Sequence, residues 1–119
     1  MVLPIKKKWF DMILSGEKKE EYREIKPYYE VRFQNLFGLI ILENEKYEIL
    51  QGAAVPEEIR KEPVQKIILR NGYGKNAPEI EIECSIRIGT GKREWGAEEG
   101  KQYFVLSINR VKRREPWKR

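Results

Sequence analysis

The 119-residue chain has no histidine and only one cysteine, Cys84. An internal disulfide cannot form, and neither a histidine-based metal site nor a histidine-containing catalytic triad is possible. General acid–base chemistry is left to Glu, Asp, Lys, Tyr or Cys84. Long apolar runs are missing as well. The longest, "LFGLIIL" from Leu36 to Leu42, is broken by Gly38 and falls far short of the roughly 20 apolar residues that a spanning helix needs. The opening "MVLPIKKKWF" carries no apolar segment of a signal peptide. The expectation is a cytoplasmic protein without a membrane partner. Internal repeats and low-complexity linkers are absent, and the length suits one domain over residues 1–119. No metal or cofactor is expected.

Charge is plentiful: 24 Lys and Arg against 19 Asp and Glu, a net +5. Arg110 to Arg119, "RVKRREPWKR", holds six basic residues and one acid and so matches that excess alone. This end reads as a basic C-terminal tail, either a solubilising terminus or a non-specific contact for phosphates.

Periodicity sketches the elements. Val2–Lys6 alternates as a short strand limited by Pro4. Trp9, Phe10, Met12, Ile13 and Leu14 follow helical spacing until Gly16, whose position fits a helix stop. "KKEEYRE" then reads as a strand with Lys19, Glu21 and Arg23 on one face and Lys18, Glu20, Tyr22 and Glu24 on the other. A second helix starts with Pro27 in its first turn, carries Tyr29, Phe33, Leu36 and Phe37 on one side, and ends at Gly38. "LIILENEKYEIL" fits either a hairpin turning at Glu43–Lys46 or a helix, and "PEEIRKE" one or two helical turns. Val64–Asn71 is a strand. Glu79–Gly89 is a clear one, with Ile80, Ile82, Cys84, Ile86 and Ile88 inward and Glu79, Glu81 and Glu83 outward. A glycine-rich loop, "TGKREWGAEEG", precedes the last strand at residues 101–111. The fold class is α+β with a mixed, curled sheet or barrel.

With Gly16 as a turn, the charged stretch reads G-x-K-x-x-E-x-R: Gly16, Lys18, Glu21 and Arg23. Together with "RNGYGKNAP" (Arg70–Pro78) and "GTGKREWGA" (Gly89–Ala97), it resembles the ASCH domain family, of the PUA-like superfamily, in a bacterial and phage-type branch. The resemblance covers most of the chain and leaves residues 39–63 as a variable insertion. It implies a PUA-like mixed six-stranded β-barrel with helices flanking one side and a cleft lined by the motif strand. It further implies binding of single-stranded RNA, a nucleotide or a nucleoside. The alternative it implies is an enzyme, ribonuclease or amidohydrolase-like, that acts on RNA or a modified nucleoside, with Lys18 and Glu21 as acid and base.

The expected ligand-binding residues are Lys18, Glu21, Arg23, Tyr73 and Trp95. Lys18 and Arg23 supply fixed positive charge for phosphate. Glu21 either orients Arg23 or accepts a hydrogen bond from a base edge. The plainer reading of all three is a surface ion-pair network of little energetic worth. Tyr73 and Trp95 sit in glycine-flanked loops, where a ring either stacks on a base or packs under its own loop. The acyl-cytidine hydrolases of the family place a threonine nucleophile where this chain has Glu21, and only Glu94, Glu98 or Glu99 could loosely match their third, acidic member. A carboxylate cannot be activated as a hydroxyl is, so that chemistry is not expected. Cys84, in phase with four isoleucines, reads as a core thiol. The acidic stripe Glu79, Glu81 and Glu83 reads as a solvated strand face or a place for a protein partner.

Overall fold

The first helical period becomes α1, Lys7–Leu14, which buries Phe10 and Ile13. Ser15 caps its end, its amide bonding to the Asp11 carbonyl and its hydroxyl to the Met12 carbonyl. The chain then leaves through Gly16. The second period becomes α2, Pro27–Phe37, with Phe33 and Phe37 fully buried. Gly38 ends it at φ +62°, a left-handed conformation that side chains disfavour, and a Cβ there would collide with the Ile59 carbonyl. Helix end and following loop thus interlock at a glycine. In the computed structural model, which describes residues 1–114, seven strands accompany these helices.

Five strands form one sheet: β1 (Val2–Pro4), β2 (Glu20–Arg23), β5 (Gln65–Arg70), β6 (Glu79–Gly89) and β7 (Tyr103–Arg114). The order is β1-β5-β6-β7-β2, with β1 parallel to β5 and every other pair antiparallel. The sheet curls into a half-barrel. The guanidinium of Arg23 on one edge strand reaches the carbonyl of Pro4 on the other at 2.7 Å. A single core fills the concave face. Ile67, Leu69, Ile80, Ile82, Cys84, Phe104 and Leu106 from the sheet meet Phe10, Ile13, Phe33 and Phe37 from the helices. Phe33 stands edge-on to Phe104 with ring centroids 5.2 Å apart, which ties α2 to the middle of β7. Tyr103 and Val105 face the other way and join Tyr22 and Ala97 in a small second cluster. β7 is therefore buried on both faces where it neighbours β2.

The α+β class with a curled sheet is as expected, and the main sheet has five strands. β3 (Ile40–Glu43) and β4 (Tyr47–Leu50) form a separate two-stranded sheet, which resolves the ambiguous segment as a hairpin. "PEEIRKE" is a turn and not a helix. Pro56 and Pro63 leave too short a span between them, and Arg60 bonds the Gly52 and Val55 carbonyls across the loop. β7 continues to Arg114, into the stretch read as a basic tail; residues 115–119 lie outside the described part. A bulge at Glu83/Cys84 sets the register of that extension. Arg110, Lys112 and Arg114 stand opposite Glu83, Glu81 and Glu79, and the side-chain alternation continues with Val111 packed against the core. The acidic stripe and the first half of the tail therefore neutralise each other across two strands. Among the described residues no helix is long and apolar enough to cross a membrane.

Candidate functional site

β2 carries the charged motif into the interior. Its register on β7 sets Glu21 beside Leu106 and Arg23 beside Phe104, so both point to the core face, while Glu20 and Tyr22 point away. Glu21 and Arg23 are buried. Strict alternation would place Lys18 on the opposite face from Glu21, and there the expectation fails. The strand begins only at Glu20, and the Lys18 amide still bonds the Met12 carbonyl of α1. This turn swings Lys18 inward until it is only 1% exposed.

The three charges form one network. Lys18 Nζ donates to the Glu20 carbonyl at 2.5 Å and the Trp95 carbonyl at 2.7 Å, and it pairs with Glu21 Oε1 at 3.2 Å. Glu21 Oε2 accepts from Arg23 Nε at 3.1 Å and Nη2 at 2.7 Å. Arg23 Nη2 also donates to the Pro4 carbonyl, and Nη1 donates to the Tyr29 hydroxyl at 3.1 Å. The surface ion-pair reading is thus wrong: this is a buried network, and among the described residues no buried side-chain nitrogen or oxygen lacks a partner. Burial pulls the Lys18 ammonium below the usual lysine range, a shift that the Glu21 carboxylate opposes.

Beside the network, between the two sheet edges and the helix starts, lies a cleft of about 390 Å³. Glu21 and Arg23 line it. Four rings, Trp9, Tyr22, Tyr29 and Tyr103, line it too, as do the lysines Lys6, Lys26 and Lys101. Tyr29 lies parallel to Phe33 at 5.7 Å, so α2 packing fixes the ring that receives Arg23. The loop after β6 closes the opposite wall. Gly96, at φ +103°, sets its backbone against the Trp9 indole at a distance where a Cβ would be only 3.0 Å from the ring. Tyr22 anchors the same loop. Its hydroxyl donates to Glu20 at 2.7 Å and accepts the Lys92 amide at 2.9 Å, and burial raises its pKa.

Of the residues expected in the site, Glu21 and Arg23 line the cleft. Lys18 joins them but sits behind Glu21 and does not line it. Tyr73 and Trp95 do not line it either. Tyr73 is 96% exposed at the β5–β6 turn. Trp95 contributes its carbonyl to Lys18, while its ring lies under the Lys92 ammonium at 4.3 Å. Among Glu94, Glu98 and Glu99, only Glu98 reaches the cleft. Cys84 is a core thiol whose pKa burial pushes up to about 12. Sequence reasoning missed Trp9, Tyr29, Tyr103 and the three lysines because their rings fell on helix or strand core periods. The available signal was interleaving: Lys8–Trp9, Tyr22–Arg23, Lys26–Tyr29 and Lys101–Tyr103 each set a cation within three positions of a ring. Comparison with protein-family models, curated proteins and solved structures finds no match to this chain.

Proposed function

We propose that the chain is a nucleotide- or single-stranded-RNA-binding module of the PUA-like, ASCH type, and that the cleft beside Glu21 and Arg23 is its binding site. One observation carries this reading: a cleft of nucleoside size in which four aromatic rings alternate with Arg23 and three lysines around one buried carboxylate. Rings give a base a stacking surface, and lysines give a phosphate its counter-charge. The G-x-K-x-x-E-x-R resemblance supports the same choice independently of the cleft.

The hydrolase alternative draws on the lowered pKa of Lys18, since shifted groups gather at catalytic sites. Against it, the ammonium is held by three oxygens behind Glu21, and Glu21 occupies the position of the hydroxyl nucleophile. Binding is the better-supported reading. The test is fluorescence anisotropy with a labelled single-stranded RNA and competition by mononucleotides. Binding should weaken as salt rises, and Trp9→Ala should abolish competition. Wild-type-like competition by a folded Trp9→Ala variant would move the site elsewhere.

A further inference from the structure

The polar groups at the cleft floor can be counted, and the count says which end of a ligand goes in first. Lys18 has three N–H donors and faces three oxygens, so it has nothing left to offer. Arg23 has five donors. Four are engaged, by Glu21 twice, by Pro4 and by Tyr29, which leaves one on Nη1. On Glu21, Oε2 accepts two bonds and Oε1 faces Lys18, which leaves one lone-pair site on Oε1. A phosphate needs several convergent donors and tolerates no carboxylate among them. This floor has one donor beside one acceptor, and the acceptor carries the negative charge.

The rim is different. Lys6 and Lys26 are exposed and Lys101 is half-buried; Glu24 and Glu98, both exposed, line the same rim, yet among the described residues none of the three lysines is held in a tight ion pair. The nearest carboxylate contact is Lys101 to Glu24 at 3.9 Å. Lys26 lies over Tyr29 at 5.5 Å and Lys101 over Tyr103 at 5.3 Å, so both can follow an anion at little cost.

Resting on the reading of the cleft as a nucleotide site, we infer that it takes its ligand base-first. A neutral amide or amidine edge, with an acceptor next to an N–H donor, meets Arg23 and Glu21. The phosphate stays at the rim with Lys6, Lys26 and Lys101. The ligand class is therefore a nucleoside or nucleotide chosen through its base edge, and an isolated phosphate or phosphorylated sugar is excluded. Lys18 positions Glu21 and touches no ligand.

The test is calorimetric titration of wild-type protein with the four common nucleosides, their 5′-monophosphates, ribose 5-phosphate and inorganic phosphate. Uridine and guanosine are each compared with the derivative methylated at the edge nitrogen, N3 or N1. At least one nucleoside should bind, and its monophosphate should bind no more than about tenfold tighter, a gain lost with salt and in the Lys26→Ala/Lys101→Ala variant. Ribose 5-phosphate and phosphate should bind at least tenfold more weakly than the nucleoside, about 1.4 kcal/mol. Edge methylation, or Glu21→Gln, should remove most nucleoside binding. The methylated ligands keep the test valid if Glu21→Gln does not fold. Ribose 5-phosphate binding as tightly as the nucleotide, or indifference to edge methylation, would overturn the base-first inference and leave the nucleotide reading standing. Absence of binding by every nucleoside, nucleotide and single-stranded RNA would overturn both.

Discussion

Two strands of this molecule are rich in charge, and their charges meet opposite fates. On β6, Glu79, Glu81 and Glu83 project from the outer face while the isoleucines between them fill the core. Their partners are cross-strand cations in register, Arg110, Lys112 and Arg114 on β7 and Lys66 and Arg70 on β5. On β2, the charges themselves occupy the inward positions. Composition already hints at the difference, since β6 interleaves its charges with isoleucines and β2 holds no aliphatic residue. What decides the direction of the charges is location. β6 is a central strand whose concave face the helices fill with hydrocarbon, whereas β2 is an edge strand facing β1 across an open seam. Charge points inward where the sheet fails to close, and there it lines a cleft. On β6 it stays on the outer face, where partly exposed, solvent-screened pairs contribute little.

The sharpest break in that comparison is removal of the central carboxylate. Glu21→Ala leaves Lys18 and Arg23 buried together without a counter-charge, and breaking a buried ionic network costs about 3–5 kcal/mol. A thermal or urea melt should register it at once. Next comes Lys18→Met, which strands the Glu20 and Trp95 carbonyls and removes one partner of Glu21, at a cost of roughly 1–3 kcal/mol at neutral pH. Its signature is pH dependence. In the folded state the Lys18 pKa lies below its unfolded value of 10.5. Between those two values the unfolded chain binds more protons at this residue, so stability rises with pH there. Urea melts across that window should show wild type gaining on Lys18→Met as pH rises.

Cys84 tests the core rather than the site. Its folded pKa, near 12, exceeds the reference value of 9.0, so its contribution to stability is intact below pH 9 and is lost as pH rises towards 12. Cys84→Ala should flatten that alkaline loss, and the native thiol should resist alkylation at neutral pH until denaturant opens the fold. The smallest effect belongs to the outer ladder. Glu81→Gln should change stability by no more than about 0.5 kcal/mol. A loss comparable to that of Glu21→Ala would erase the distinction between the two strands.

Much of the fold was legible because hydrophobic period and breakers agreed. Pro27 and Gly38 bound α2, and the isoleucines of β6 all turned inward. The motif residues Glu21 and Arg23 were legible as a pair because a strand's period puts them on one face. Lys18 was not, since its burial depends on a turn out of α1 that breaks the alternation. The rings that line the cleft were not legible for a related reason. Glycine-flanked rings look presented, yet Tyr73 is almost fully exposed, and Trp9 and Tyr29 reach the cleft only because two helices start at the same seam. The continuation of β7 to Arg114 was not legible, because the bulge that shifts its register after Ile108 leaves no mark in composition.

The central claim is that the seam between β1 and β2, walled by Trp9, is where a ligand sits. The chain's three tryptophans allow a direct reading. With Trp95 and Trp117 replaced by Phe, Trp9 is the only indole, and the nucleotide that binds wild type should quench its fluorescence along the binding isotherm. With Trp9 and Trp117 replaced instead, the Trp95 signal should barely change. Quenching confined to Trp95, with Trp9 silent at saturating ligand, would contradict the account and return the site to the loop.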